Sequence, residues 1–476
     1  SKGRTIFVPK VTNGSNDPKD YRPITISSVI LRQFNRILAK RITNLHDWDR
    51  RQSAFLPVDG CAENLSVLQT LMHNARLKRR EVHIASVDIS KAFDSVVHAA
   101  VIRELKQYGA PSPFVDYIRK GYENMKTVIQ YNGINQDCTV TRGVRQGDPL
   151  SSPLFNLVLE RSLRKLNEDI GFKLDHETTI NALTFADDTL LIASTPMGLQ
   201  QNLDLFADSL SNAGLNLNAN KCLVLSLKPS GRDKRTKVLL EPQVRHGGLP
   251  LKQVQPTTMW KYLGVEFKGF KAEMKGDGMI SYLDKISKAP LKPQHRVSML
   301  KDHLIPKYIH NWVLGRLDTK KLQRFDVIIR SYVRKWLRLP MDVPVGFFHA
   351  DVSDGGLGIP ALTHRIPAMR FNRLSRMKDS QSRIVQAVVQ SEVVNQQLDK
   401  IAKKLATIAP GGDKGLLKQH WAKRLHGAVD GKDLVDCHKS KPSTHWIEQG
   451  SHLVSGGDYV HMVHTCLLYT SDAADE

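Results

Sequence analysis

Residues 181–193 read NALTFADDTLLIA, two short apolar runs around a pair of adjacent aspartates, Asp187 and Asp188. Each run is long enough for a strand and too short for a helix. Asp is a turn former, so the stretch predicts a strand–turn–strand hairpin with both carboxylates near its tip. Two neighbouring like charges between apolar strands repel one another and lose hydration, which is costly unless water or a cation compensates. A solvated turn and a metal site both meet that need, and the rest of the chain has to decide between them.

The elements around this hairpin alternate. VILRQFNRILAKRITNL carries Ile30, Phe34, Ile37, Leu38 and Ile42 at helical spacing, and AENLSVLQTLMHNARLKRR follows the same pattern. Both read as packed helices with basic outer faces, after a Gly/Asn/Asp/Pro-rich loop, VTNGSNDPKDYRP. EVHIASVDISKAFDSV predicts a short buried strand ending near Asp88, then a helix, HAAVIRELKQYG, closed by Gly109. TVIQYNGINQDCTVTRGV predicts a hairpin turning at Asn132–Gly133. GDPLSSPLFNLVLERSLRKL opens a helix with Asp148 as N-cap and Pro149 at its first position. After the double-Asp hairpin come an amphipathic helix, MGLQQNLDLFADSLSNAGL, and a strand in NLNANKCLVLSL. The alternation predicts an α+β domain with an antiparallel sheet, and from about residue 275 onward the chain reads as mostly helical.

The 476 residues are 41% hydrophobic, enough for a sizeable core and more than one domain. The formal net charge is +22. Such an excess repels itself and suits a polyanionic partner, nucleic acid first and an acidic membrane surface second. No run of about 18 apolar residues occurs, so no membrane span is expected. Five scattered cysteines, Cys61, Cys138, Cys222, Cys437 and Cys466, show no CxxC spacing and favour a reducing compartment. The chain opens directly on the strand-like TIFVPK and reads as cut from something longer. Its last residues, CLLYTSDAADE, break abruptly with the basic, His-rich GGDYVHMVHT and resemble a translated sequencing adapter, so 466–476 are set apart from fold and function.

If the strand ending at Asp88 lies beside the double-Asp hairpin, three carboxylates converge. Hard oxygen ligands suit Mg²⁺, which takes one or two carboxylates per ion plus substrate phosphates. Two such ions would clamp the attacking and leaving oxygens of a phosphoryl transfer, and on a basic chain that points to nucleotidyl transfer.

The ordered strings VDISKAFDSV, RGVRQGDPLSSPLFN, LTFADDTLLIA, LNLNANKC and KYLGVEF resemble the palm motifs of a reverse transcriptase. YRPITISS and QSAFLPVDGCAENL resemble its finger motifs. KAPLKPQHR, RKWLRLP and FFHADVSDGGLGIP are similar to the thumb and beyond of the non-LTR retrotransposons that insert into ribosomal RNA genes and carry a restriction-like endonuclease. The resemblance covers about residues 5 to 465. It implies a right-hand polymerase, with α/β fingers over 1–80, an antiparallel-sheet palm with finger insertions over 81–272 and a helical thumb over 273–365. A helical linker over 366–465 would stop short of a zinc knuckle and endonuclease.

The resemblance also implies roles. Asp88 and Asp187 would hold two Mg²⁺ ions, with Mn²⁺ able to substitute, and Asp188 beside them would be the third carboxylate. Phe93 would be the steric gate, a ring that leaves no room for a ribose 2′-hydroxyl; outside this motif it would read as a core aromatic. Gln146 and Gly147 would pack on the incoming nucleotide and the template. Lys221 would protonate the leaving pyrophosphate. Lys10 and Arg22 would contact the triphosphate of a dNTP. Tyr262, Leu263 and Gly264 would form the primer grip, or else a core hairpin.

In the basic helix TKKLQRFDVIIRSYVRKWLRL, Lys320, Lys321, Arg324, Arg330, Arg334, Lys335 and Arg338 read as a solvated face or as a surface tracking the phosphates of the template–primer duplex. The partners implied are an RNA template and a DNA primer or target, with no membrane, in the nucleus. Near the end Cys437, His438, His445, His452, His461 and His464 suggest a metal cluster, but their spacings fit no zinc template. Two other readings compete: an organellar intron maturase on the same palm, which the thumb strings oppose, and an inactive RNA-binding remnant, which has no need of three intact aspartates.

Overall fold

The computed structural model describes residues 3–10, 17, 20–131, 134–232, 234–439, 447 and 454–468. The chain divides into two compact units. Unit 1 comprises Ser1–Thr258 with Ser382–Ala387, and unit 2 comprises Met259–Gln381 with Val388–Glu476.

Two larger sheets organise unit 1. In the first, β1 (Gly3–Pro9) lies between β2 (Tyr21–Ile26) and β4 (Lys126–Tyr131), and β5 (Ile134–Thr139) flanks β4. β1 and β4 are parallel; the other pairs are antiparallel. Tyr131 pairs with Ile134 as the hairpin reading requires, while Asn132 and Gly133 lie outside the described residues. The expected loop before Tyr21 lies mostly outside them too.

The second sheet carries the aspartates. β3 (Val82–Val87) pairs antiparallel with β7 (Asp188–Ala193) on one side and β8 (Leu223–Ser230) on the other. β6 (Ala182–Phe185) extends the β7 edge, and β9 (Arg235–Val238) extends the β8 edge. Leu190, Leu191, Ile192 and Ala193 are all fully buried, so β7 is covered on both faces, and its sequence is a continuous apolar run rather than an alternation.

Helices cover this sheet. α5 (Ser151–Arg164) buries most of its length, including Leu154, Phe155, Val158 and Leu163. α6 (Pro196–Ser211) starts with Thr195, whose hydroxyl accepts from the Gly198 N–H at 3.1 Å, and with Pro196 at its first position. Its Leu199, Leu203, Phe206 and Leu210 recur at helical spacing and join the same core. α2 (Gly60–Leu77), α3 (His98–Gln107) and α4 (Ser112–Glu123) complete the unit.

Two local expectations are corrected. In α1 (Val29–Leu45), Ile30, Phe34 and Ile37 are exposed; Leu38 and Ile42 pack on the core. The helix is turned by its one buried polar residue, Asn35, which donates to Asp148 Oδ2 at 2.7 Å and accepts from the Tyr117 hydroxyl at 2.7 Å. The second concerns Asp148. α5 begins at Ser151 with Leu150 as its N-cap. Asp148 instead accepts the Leu150 N–H at 2.9 Å, an Asx turn that ends the preceding loop, because its other oxygen is committed to Asn35.

Unit 2 begins with a small sheet, β10 (Met259–Tyr262), β11 (Val265–Lys268) and β12 (Lys271–Ala272). Helices follow: α7 (Met279–Lys288), α8 (Ile305–Leu314), α9 (Thr319–Leu337), α10 (Val345–His349), α11 (Leu362–Arg376), α12 (Glu392–Leu405), α13 (Lys414–His426) and α14 (Gly456–Leu468). Cys466 to Leu468, set apart from the sequence, continue α14; 469–476 lie outside the described residues. No described helix is long and apolar enough to cross a membrane.

Candidate active site

The sheet register brings the ends of β3 and β7 together. Asp88 follows β3, and Asp187 occupies the second position of the two-residue turn between β6 and β7. The two carboxylates face each other closely enough to interact. Burial raises the Asp187 carboxyl above the usual carboxylate range, and the Asp88 charge adds to that rise. The N–H of Asp187 itself and the Arg22 guanidinium oppose it.

The backbone of Asp88 is fixed on both sides. Its N–H points at Cys222 Sγ, 3.4 Å away, and its carbonyl accepts from the Asn218 N–H at 2.8 Å. The same turn delivers Lys221, whose Nζ lies 3.9 Å from Asp88 Oδ2 with both side chains well exposed.

These groups line a cleft of about 820 Å³ within unit 1. Lys10 and Arg22 come from the end of β1 and the start of β2, Phe93 from the helical turn Ala92–Ser95, and Gln146 and Gly147 from the loop before α5. Phe93 is half-buried, stacked on Phe155 at 4.4 Å and edge-on to Phe55 at 6.3 Å, so it is both core aromatic and cleft wall. Gln146 Nε2 donates to Asp94 Oδ1 at 2.8 Å, and its carbonyl accepts from the Thr25 N–H at 2.8 Å. Gly147 sits at φ +104°, where a Cβ would lie 2.7 Å from the Thr25 carbonyl oxygen; only glycine fits that approach.

Asp188 is the exception. It is the first residue of β7, exposed, and does not line the cleft. Among the described residues no three His, Cys, Asp or Glu side chains come together as a metal-holding group. The expected convergence of three carboxylates is therefore a convergence of two. Strand alternation explains this: neighbouring residues at a turn point in different directions. Asp88 and Asp187 still suit a divalent cation. They are oxygen donors with surplus negative charge, and Mg²⁺ needs only one or two carboxylates beside substrate phosphates.

Residues 8–267 match the family model described as reverse transcriptase (RNA-dependent DNA polymerase). Over 462 residues the chain is 40% identical to the retrovirus-related Pol polyprotein from the type-1 retrotransposable element R2 of Bradysia coprophila, covering 96% of this chain and 53% of that protein. It is 39% identical to the Pol polyprotein of the type-2 element R2DM of Drosophila melanogaster, over 96% of this chain and 43% of that protein. The corresponding R2 protein of Nasonia vitripennis is 38% identical, over 97% and 44%. The chain belongs to the reverse transcriptase family. It spans about half the length of the relatives it matches. Its α+β architecture is that of a right-hand polymerase.

In this reverse transcriptase two groups of expected site residues lie in unit 2. Tyr262 ends β10, and Leu263 and Gly264 form the turn into β11. Leu263 and Gly264 have φ +44° and +80°, the pattern of a type I′ hairpin. Tyr262 and Leu263 are buried, and His310 Nε2 hydrogen-bonds the Leu263 carbonyl at 2.8 Å. Trp260 stacks on Phe267 at 4.7 Å, so this is a core hairpin in its packing.

The basic residues of α9 split by face. Lys320, Arg324, Lys335 and Arg338 are exposed. Lys321 instead donates to the Met274 carbonyl at 2.9 Å, Arg330 contacts His349, and Arg334 lies over the Phe348 ring at 4.8 Å. These three hold the helix to its neighbours, which corrects the reading of one continuous phosphate-tracking face. Of the His/Cys-rich end, His445 and His452 and the side chains of Cys437 and His438 lie outside the described residues. His461 and His464 lie on α14, and His464 hydrogen-bonds the Leu337 carbonyl at 2.9 Å.

The sequence reading overlooked the brace of the Asp187 turn. Gln52 is 2% exposed, and its Oε1 accepts from the Ala186 N–H at 3.0 Å and the Ala54 N–H at 2.9 Å. Ser53 Oγ and Asn64 Nδ2 both donate to the Thr184 carbonyl, at 3.2 and 3.1 Å. Ala186 is held at φ +55°, a conformation that residues with a Cβ adopt reluctantly. All three clamping residues stand in the quoted finger string QSAFLPVDGCAENL; a buried amide in an apolar run was the available signal. Lys91, Asp94, Arg145 and Asn218 also line the cleft and were not singled out.

Proposed function

We propose that this chain extends the 3′-hydroxyl of a DNA primer on an RNA template, at the cleft between Asp88, Asp187 and Lys221, and that in its natural setting the primer is a nicked DNA target. One observation carries the reading: two facing, half-buried carboxylates share a cleft with Lys10, Arg22 and Lys221 and with a half-buried aromatic wall. Asp88 and Asp187 would hold two Mg²⁺ ions beside the substrate phosphates. When bound, such ions supply Lewis acidity to the attacking and leaving oxygens.

The protein's own groups do the rest. Lys10 and Arg22, on the strand ends opposite the carboxylates, bind the triphosphate and orient its α-phosphate toward the primer. The primer 3′-hydroxyl oxygen forms a bond to the α-phosphorus, its proton passing to solvent water, as the bond from that phosphorus to the bridging α–β oxygen breaks. Lys221, exposed beside Asp88, delivers a proton to the departing pyrophosphate. Phe93, kept in place by Phe155, closes the space where a 2′-hydroxyl would sit. Gly147 lets backbone approach the base, and Gln146, tied to Asp94, holds that loop. The exposed cations of α9, Lys320, Arg324, Lys335 and Arg338, track nucleic-acid phosphates. A nuclear location follows from this reading, since its DNA target would be chromosomal, and localisation of the tagged protein in its host cells tests it.

The test is copying of an RNA from a nicked duplex DNA in Mg²⁺, with cDNA joined to the nicked strand as the product. Joined product in the wild type and none in Asp88→Asn supports the reading. Tight RNA binding without product, equal in both proteins, contradicts it and favours the binding remnant.

A further inference from the structure

Unit 2 holds a second group of polar side chains that polymerisation does not use. At its centre is Trp421 on α13, 6% exposed. Its ring lies 4.6 Å from that of His349 on α10, 5.6 Å from His364 on α11 and 5.1 Å from His420. Three ring nitrogens here, Trp421 Nε1, His364 Nδ1 and His420 Nε2, are buried and make no hydrogen bond. Buried polar atoms are nearly always paired, so three orphans in one cluster point to a missing partner.

The charges around them say what partner fits. Arg424 lies against the Trp421 ring at 5.6 Å, and Lys404 and Arg424 both act on His364. Arg330 Nη1 is 3.2 Å from His349 Nε2, and His349 Nδ1 is 2.9 Å from the Ile359 carbonyl. His349 therefore donates to Ile359 and accepts from Arg330, which requires it to be neutral. The carboxylate that acts on Arg330 and Lys404, Asp326, is already engaged by the N–H of Leu362 and by the N–H and hydroxyl of Thr363, at 2.8, 2.9 and 2.6 Å. Burial lowers the proton affinity of Arg330, Lys404 and His420, and holds His364 and His349 down to about 4. A metal cation is a poor fit among two arginines and a lysine. An anion with several acceptor oxygens fits both the orphaned nitrogens and the positive field.

We propose that this cluster is a phosphate-binding site, with Trp421, His364 and His420 donating from within and Arg424, Lys404 and Arg330 supplying charge at the rim. The phosphate is either a nucleic-acid backbone group or free inorganic phosphate, and the chemistry of recognition is the same.

The first measurement is thermal unfolding of the whole chain in inorganic phosphate against chloride at matched ionic strength. Phosphate raises the melting temperature of the wild type. That rise is lost in Trp421→Phe, which keeps a ring and removes the N–H, and in Arg424→Gln, an exposed position that leaves folding intact. Lys403→Gln, exposed on the same helix as Lys404, removes the same charge and keeps the rise. A second arm titrates a single-stranded RNA oligonucleotide over a salt series. If the site takes a backbone phosphate, Arg424→Gln lowers the salt slope by about one and weakens binding about 3–10-fold, and phosphate competes. If the source is free phosphate, the RNA slope is unchanged while the melting shift persists. The proposal is overturned if phosphate gives no rise, or the same rise in all four proteins.

Discussion

Two hairpins of this chain turn in two residues and do so by different means. The β10–β11 turn uses Leu263 and Gly264, both at positive φ, and the local chemistry of a type I′ turn suffices; His310 only closes over its carbonyl. The β6–β7 turn uses Ala186 and Asp187, neither a glycine, with Ala186 at φ +55°. It is held from outside, by Gln52 on the Ala186 N–H and by Ser53 and Asn64 on the Thr184 carbonyl. The first turn serves packing and obeys local preference. The second aims a carboxylate into a cleft, and its strain is balanced by hydrogen bonds from a segment more than a hundred residues away in sequence. Strain at a functional turn persists only when its surroundings over-determine it.

The comparison can be broken most sharply at the aspartates. Asp187→Asn should lower RNA-templated nucleotide incorporation by about 10³-fold or more, as expected for a group on which the chemistry depends. Asp188→Asn should cost less, because Asp188 is outside the cleft wall; single-turnover incorporation rates for the two variants measure the gap. Equal losses would mean that both carboxylates serve the site alike.

Gln52→Leu comes next. It leaves the buried N–H groups of Ala186 and Ala54 without their acceptor and frees the turn. A misplacement of about 1 Å at reacting groups costs about 10²-fold, so kcat should fall by that order while KM for the nucleotide changes little. Gln52→Glu, which keeps an acceptor oxygen for the two N–H groups, should recover part of the rate. A purely structural role would lower the melting temperature and leave kcat per folded molecule intact.

At the other hairpin, Gly264→Ala imposes a Cβ at φ +80°, 3.0 Å from the His310 ring. It should destabilise unit 2 by about 1–2 kcal/mol in denaturant unfolding, and local strain rather than lost catalysis should account for it.

The smallest effect is one of sign. The Asp187 carboxyl is raised in the folded state, so the fold binds this proton more tightly than the unfolded chain does. Its contribution to stability is present below the ordinary aspartate range and is lost as pH rises through the elevated value. In metal-free buffer at neutral pH, Asp187→Asn should therefore raise the melting temperature slightly, and the gain should vanish in acid. A drop at neutral pH would mean that the charged form is stabilised instead.

The motifs made the cleft legible residue by residue: Asp88, Phe93, Gln146, Gly147, Asp187 and Lys221 come together, with Lys10 and Arg22 at the rim. Those positions are constrained by chemistry that demands particular side chains at particular strand ends. What the sequence concealed were directions. Periodicity gave α1 its helix, but a buried Asn35 set which face turned inward. Charge counting gave α9 its basic character, but Lys321, Arg330 and Arg334 were drawn into packing. Neighbouring aspartates looked equivalent until the turn separated them. In each case a long-range hydrogen bond or ring contact chose among orientations that local pattern leaves equal.

On this reading the cleft around Asp88 and Asp187 selects and adds deoxynucleotides. The most direct test is single-nucleotide incorporation on an RNA template with Mg²⁺, comparing dNTP with rNTP in the wild type and in Phe93→Val. The wild type is expected to use dNTP almost exclusively, and Phe93→Val to admit the rNTP while retaining dNTP incorporation. Unchanged discrimination in a folded, active Phe93→Val protein would contradict this reading.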